Sequence, residues 1–178
     1  MSTKLKAFNF KNWIDEHRHL LKPPVGNKVV FQDSTFFVMV VGGPNSRTDF
    51  HVNETDEFFY QLEGDMTLKI YENGEVEDVV IKEGDIFMLP GNTPHSPQRP
   101  ANTVGLVVEK QRAPEEKDAL QWYCQSCNAK LYEEYFHLEN IETQFGAVFE
   151  RYYNSEHTTC NKCGMVNGRE WVALQGKN

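Results

Sequence analysis

The sequence predicts a mainly β chain rolled into a sandwich or barrel, with a helix in front of it and a small cysteine-bearing extension behind. Three observations predict this. Seven short runs rich in β-branched and aromatic residues follow one another between residues 29 and 108, the composition that suits a pleated, half-buried surface. Turn signals separate them at roughly 8–12 residues, the spacing of sandwiches and barrels rather than of strand–helix–strand units. Asn73-Gly74 lies between the runs at 67–71 and 76–80. A two-residue hairpin turn needs positive φ at both central positions, which Asn and Gly tolerate.

The elements follow in chain order. Phe10, Trp13, Ile14, His17 and Leu21 share one face at helical spacing, with Asn9 placed to cap the helix. Pro23-Pro24 ends it, because proline can neither donate to nor fit inside a helix. A loop at 22–27 leads to expected strands at 29–31, 35–41, 58–62, 66–71, 76–81, 86–89 and 103–108. The proline-and-charge stretch 113–117 then divides the chain into 1–112, a barrel with its helix, and 113–178, an extension. From 113 to about 153 the pattern is mixed and more helical. Ile141, Phe145, Val148, Phe149 and Tyr152 make the apolar stripe of a core-facing helix.

Composition bounds the function. The chain has 178 residues, a formal net charge of −8 and a pI near 5.2, so nucleic acid and anionic membrane are not its expected partners. The longest apolar run, 36–41, has six residues, against about 20 for a membrane span. No apolar stretch follows the first residues, so no secretory signal is expected and the compartment is read as cytoplasmic, where thiols stay reduced.

Two polar segments interrupt the strands. In the first, 43–57, stand Arg47, Asp49, His51 and Glu57; in the second, 84–95, stands His95, with Arg99 four residues on. A rolled sheet can bring His51, Glu57 and His95 together. Two imidazoles and one carboxylate are the facial triad that holds Fe(II) and leaves positions open. Arg47 and Asp49 fall on the same side as His51 at a period of two. Glu109 ends the apolar run 104–108, where a lone charge would ordinarily be an exposed alternate or a strand end.

The segment 84–95 resembles the second cupin motif, and 49–64 the first. Asp49 occupies the place of the leading histidine of the first motif. The gap from His51 to Glu57 is longer than usual, and Arg99 stands where the second motif ends in Asn. Three ligands remain instead of four. The blocks 22–28, 42–51, 57–66, 94–99 and 103–109 together resemble the 3-hydroxyanthranilate 3,4-dioxygenase family, in its short single-cupin form with a rubredoxin-like cysteine site. The resemblance implies a double-stranded β-helix, a jelly-roll-like barrel. It implies extradiol-type cleavage of 3-hydroxyanthranilate by O₂ beside the hydroxyl-bearing carbon. The product, 2-amino-3-carboxymuconate semialdehyde, closes unaided to quinolinate, in tryptophan catabolism by the kynurenine route or in NAD synthesis. A homodimer is implied as well.

On that reading His51, Glu57 and His95 hold Fe(II). Arg99 clamps the substrate carboxylate, since a guanidinium fork matches a carboxylate in plane. Arg47 assists the clamp or faces dioxygen. Glu109 takes or holds the substrate hydroxyl proton, Asp49 orients Arg47 or relays a proton, and Glu57 also meets the substrate. The loop 24–27, with Asn27, closes over the bound molecule.

Cys124-Gln125-Ser126-Cys127 and Cys160-Asn161-Lys162-Cys163 are two C-x-x-C units separated by 32 residues. In a reduced compartment four thiolates in two such turns read as a closed tetrahedral site for a second iron or for zinc, structural because it has no open position. The alternatives are two disulfides or a redox dithiol pair, and the latter lacks the strand–helix–strand setting it needs. His17, His19, His137 and His157 have no spaced partners and read as solvated, and Trp13, Trp122 and Trp171 read as packing or dimer contacts. Two other classes compete with the dioxygenase: a cupin sensor that binds without turnover, and another cupin enzyme such as an isomerase. Arg99 in place of the usual Asn or ligand speaks against both.

Overall fold

The computed structural model describes residues 6–22, 26–31 and 34–170. Helix α1 (Phe10–His17) starts where the cap predicts, with the Asn9 side chain accepting from the Asn12 amide at 2.9 Å. Its apolar stripe packs Ile14 and Leu21 against Val40 and Val104. Pro23, Pro24 and Val25 lie outside the described residues, and so does Trp171.

Among the described residues eleven strands follow, in two antiparallel sheets. One orders β1 (Asn27–Phe31), β2 (Phe36–Gly42), β9 (Val104–Lys110), β4 (Glu57–Glu63) and β7 (Ile86–Leu89). The other orders β11 (Lys130–Phe136), β10 (Asp118–Tyr123), β3 (Asp49–Val52), β8 (His95–Gln98), β5 (Met66–Glu72) and β6 (Glu75–Ile81). This is the expected mainly β barrel, built from two antiparallel sheets. Asn73 and Gly74 turn β5 into β6 with φ of 52° and 88°. Met39, Phe59, Met66, Leu68, Ile81, Leu89 and Val107 fill the space between the sheets.

Residues 118–136 depart from the mixed, helical expectation. They form β10 and β11, and β10 pairs with β3. Every residue of β10 is buried, so no polar alternation betrays it as a strand. The division at 112/113 thus falls in the link from β9 to β10, and the extension contributes two strands to the second sheet. Helix α2 (Ile141–Tyr153) lays Phe145, Val148 and Tyr152 on Leu120 and Trp122. No helix among the described residues is long and apolar enough to cross a membrane.

Candidate active site and cysteine centre

Strand register assembles the site. His51 of β3 lies directly opposite His95 of β8, and Glu57 of β4 opposite Glu109 of β9. One pair belongs to each sheet. Nδ1 of His51 comes within 3.6 Å, and Nε2 of His95 within 3.4 Å, of Oε1 of Glu57. That buried oxygen has no hydrogen-bond partner among the described residues. A buried carboxylate oxygen left unpaired is costly, so it calls for a cation, and the three ligand atoms lie within 4.8 Å of one another.

The outer edges of both imidazoles are taken. Thr93 carbonyl lies 3.0 Å from Nδ1 of His95, which therefore carries the proton and leaves Nε2 bare. Asp118 Oδ2 lies 2.5 Å from Nε2 of His51, which leaves Nδ1 bare. Such partners fix the tautomer and ring orientation of a ligating histidine. Burial opposes the charge on Glu57, yet His95, His51 and Arg112 hold its carboxyl down at about 2. Burial lowers the pKa of His51 more than Asp118 and Glu57 raise it. Burial opposes the His95 charge too, but Glu57 prevails and raises it.

Arg112 is the hub of a buried acid cluster that sequence reasoning missed. Its Nε and Nη2 reach Asp118 at 2.7 and 2.6 Å, and its Nη1 reaches Glu109 at 2.5 Å. Three acids, Glu57, Glu109 and Asp118, share this one guanidinium. Asp118, doubly bonded and facing His51, stays ionised at about 2 despite its burial. Glu109 is the acid left over. Burial and the neighbouring Glu57 charge push it up to about 8, against the pull of Arg112.

The remaining candidates other than Asp49 line one open-mouthed cavity. Arg47 is held from behind by Asp49, with Nε 2.8 Å from Oδ1 and Nη2 also bonded to the carboxylate. Its guanidinium lies 5.2 and 5.5 Å from the ring centres of Phe145 and Phe149, a cation–π seat. Asp49 stands behind the wall rather than on it. Arg99 lines the cavity and is only 4% exposed. Its Nη1 donates to Gln61 at 2.9 Å, and its buried Nε has no partner among the described residues. Burial alone pulls its pKa down to about 10. Asn27, the first residue of β1, also lines the cavity; residues 24 and 25 of its loop lie outside the described residues.

The apolar wall comes from Met39, Phe59 and Val107 of the barrel core and from Phe145 of α2. Phe145 was legible only as a core residue of its helix. Asp118 and Arg112 carry no motif; the one available hint was an acid opening an otherwise unbroken buried strand.

The cysteines form a second centre. All four are free, and their sulfurs lie within 4.8 Å of one another. The contacts Cys124–Cys163 and Cys127–Cys160 measure 3.5 and 3.7 Å. Disulfide sulfurs would be about 2.05 Å apart; a tetrahedron with bonds of about 2.3 Å has edges of about 3.8 Å. The two turns are copies of each other. Asn128 and Gly164 donate to the Cys124 and Cys160 carbonyls at 2.9 and 2.8 Å, with φ of 56° and 76°. Cys124 and Cys160 donate in return to Ala129 and Met165, both at 2.8 Å. The four other histidines belong to neither group; His17 stacks on Trp13 at 4.2 Å, and Trp122 on Tyr152 at 4.3 Å.

Comparison with known proteins agrees with this geometry. Residues 1–153 match the family model of 3-hydroxyanthranilic acid dioxygenase. The chain is 57% identical over 164 residues to a 3-hydroxyanthranilate 3,4-dioxygenase of Xanthomonas euvesicatoria, covering 92% of this chain and 93% of that one. It is 52% identical to the enzyme of that name from Jannaschia, over 96% of this chain and 99% of that one. Among solved structures, a cupin-2 domain protein of Shewanella frigidimarina superposes with a TM-score of 0.48 at 15% identity, over 58% of this chain and 94% of that one. The chain belongs to the 3-hydroxyanthranilic acid dioxygenase family.

Proposed function

We propose that this protein opens the ring of 3-hydroxyanthranilate with O₂, using Fe(II) held by His51, Glu57 and His95. The observation that carries the reading is Arg99. A buried guanidinium with no carboxylate partner among the described residues shares one cavity with an open His-His-Glu triad. Arg47 is balanced by Asp49, and Arg112 by Asp118. The Arg99 charge is left for a ligand, and it selects an anion with a planar carboxylate.

The iron, when bound, supplies open positions for the two reactants and polarises them. The protein's own groups do the rest. Arg99 grips the substrate carboxylate and fixes the ring in the plane of its fork. Glu109, when ionised, receives the substrate hydroxyl proton, and burial beside Glu57 makes it a stronger base than an ordinary carboxylate. Arg47, preset by Asp49 against Phe145, offers charge on the dioxygen side without reorganising. Phe145, Met39 and Val107 exclude water from the ring. One oxygen atom ends on each carbon of the broken bond, so no outside electron donor is consumed. The semialdehyde closes to quinolinate on its own.

Purified protein supplied with Fe(II), 3-hydroxyanthranilate and air is expected to form a near-ultraviolet absorber that decays into quinolinate. Absence of that absorber from protein reconstituted without oxygen and then aerated would overturn the reading. A second expectation concerns Asp118. Asp118→Asn removes the charge that holds Nε2 of His51 and loosens Arg112. Loss of such a support typically weakens metal binding by about 10–100-fold. Competition with a chelator measures it; unchanged affinity would reduce Asp118 to a partner of Arg112.

The four-cysteine centre is read as a structural iron or zinc site, closed to substrate. A homodimer fits the outer face of the first sheet, where exposed Tyr60, Ile86 and Met88 lie side by side in register. Four free thiols fit a reducing compartment and thus a cytoplasmic location.

A further inference from the structure

We infer that Gln61 and Gly105 are specificity-determining positioning residues that keep the Arg99 charge unspent for a carboxylated substrate. The inference rests on the proposed role of Arg99. Gln61 and Gly105 face each other across β4 and β9. Arg99 lies over that pair. A Cβ on Gly105 would stand 2.6 Å from Nη1 and 2.9 Å from Nη2 of Arg99, distances real side chains do not tolerate. The absent side chain is the guanidinium's seat.

Gln61 supplies the only acceptor hydrogen-bonded to that guanidinium among the described residues, its Oε1 at 2.9 Å from Nη1. The amide cannot turn round. Its Nε2 donates to the Glu63 carbonyl at 3.1 Å, so the oxygen must face Arg99. The nearby Glu63 carboxylate is spent on Arg18, at 2.6 and 2.8 Å. The main chain of Arg99 is pinned as well, by paired bonds of 2.8 Å with Asn45. Gln61 is 1% exposed. A buried arginine usually takes a carboxylate partner. Here the neutral isostere of glutamate fixes the guanidinium's direction and leaves its charge uncancelled. A glutamate at 61 would occupy Arg99 with an internal salt bridge and compete with the substrate's own carboxylate.

The test is the Gln61→Glu variant of the iron-loaded protein, with binding measured without oxygen. Two ligands are compared, 3-hydroxyanthranilate and 2-aminophenol, which keeps the ring, amine and hydroxyl but lacks the carboxylate. Hydrogen bonds to charged groups are worth roughly 10–100-fold in binding. With two such bonds in the fork, the wild type should prefer the carboxylated ligand by roughly 100-fold or more, and Gln61→Glu should lose the preference by weakening only that ligand. Gln61→Met, which removes the bond but adds no charge, should retain most of the preference. Gly105→Ala, which displaces the fork, should lose it, and it carries the test if Gln61→Glu does not fold. An unchanged preference in Gln61→Glu, or equal losses in Gln61→Glu and Gln61→Met, overturns the inference. An unchanged preference in Arg99→Ala instead overturns the clamp on which it rests.

Discussion

Replacing Arg99 with alanine is expected to raise KM for 3-hydroxyanthranilate by roughly 100-fold or more while the protein keeps its catalytic metal. A bidentate charged bond is among the strong ones, at about 1.5–3 kcal/mol for each hydrogen bond to a charged group. Two such bonds are lost together, and nothing among the described residues stands ready to replace them. The stability cost should be small or even negative. Arg99 is buried, desolvated and unpaired with any acid in the resting protein, so its removal relieves a burden on folding. Steady-state kinetics beside metal analysis decides the matter. Iron lost along with substrate affinity would mean that Arg99 supports the triad, and the clamp would be wrong.

The second large effect is expected at the cysteine centre. Changing Cys124 and Cys160 to serine removes one thiolate from each turn. The paired turns bring residues 124–128 against 160–164, and the Gln125 amide donates to Asn167 at 2.8 Å. A structural four-thiolate site contributes about 10–16 kcal/mol to the folding of the segment it closes, in zinc-finger peptides. The double variant should therefore lose its second metal and several degrees of melting temperature, with the tail becoming sensitive to protease. The fraction still folded should retain turnover, because no cysteine lines the substrate cavity. A folded variant with the catalytic metal in place and no turnover would assign the centre a part in the chemistry.

Much of the barrel was legible because its strands are rich in valine, isoleucine and aromatic residues and because Asn73-Gly74 announces its own turn. The two strands that carry the histidines of the proposed triad were not. β3 and β8 are four residues each and hold Asp49, His51, His95, Pro97 and Gln98. Function has replaced the residues from which a strand is recognised. β10 failed for the opposite reason, being buried on both faces. The triad residues, the two pocket arginines and the cysteine pairs were visible as residue types at telling places. Their supports were not. Asp118, Arg112 and Gln61 are ordinary polar positions until folding places them beside His51, Glu109 and Arg99. Pairing across sheets is a long-range property, and no local window contains it.

The roof of the cavity has a consequence for the order in which the protein is made. The three residues proposed to hold iron are complete once His95 has been synthesised, whereas Phe145 and the second cysteine turn come 50 and 65 residues later. At about 5–20 residues per second, the growing chain spends some seconds with its three proposed ligands made and with β9, β10, β11 and α2 still to come. During that interval the site lacks the wall that Phe145 gives it once α2 has docked. Delivery of a metal to the nascent chain would meet no obstacle from Phe145.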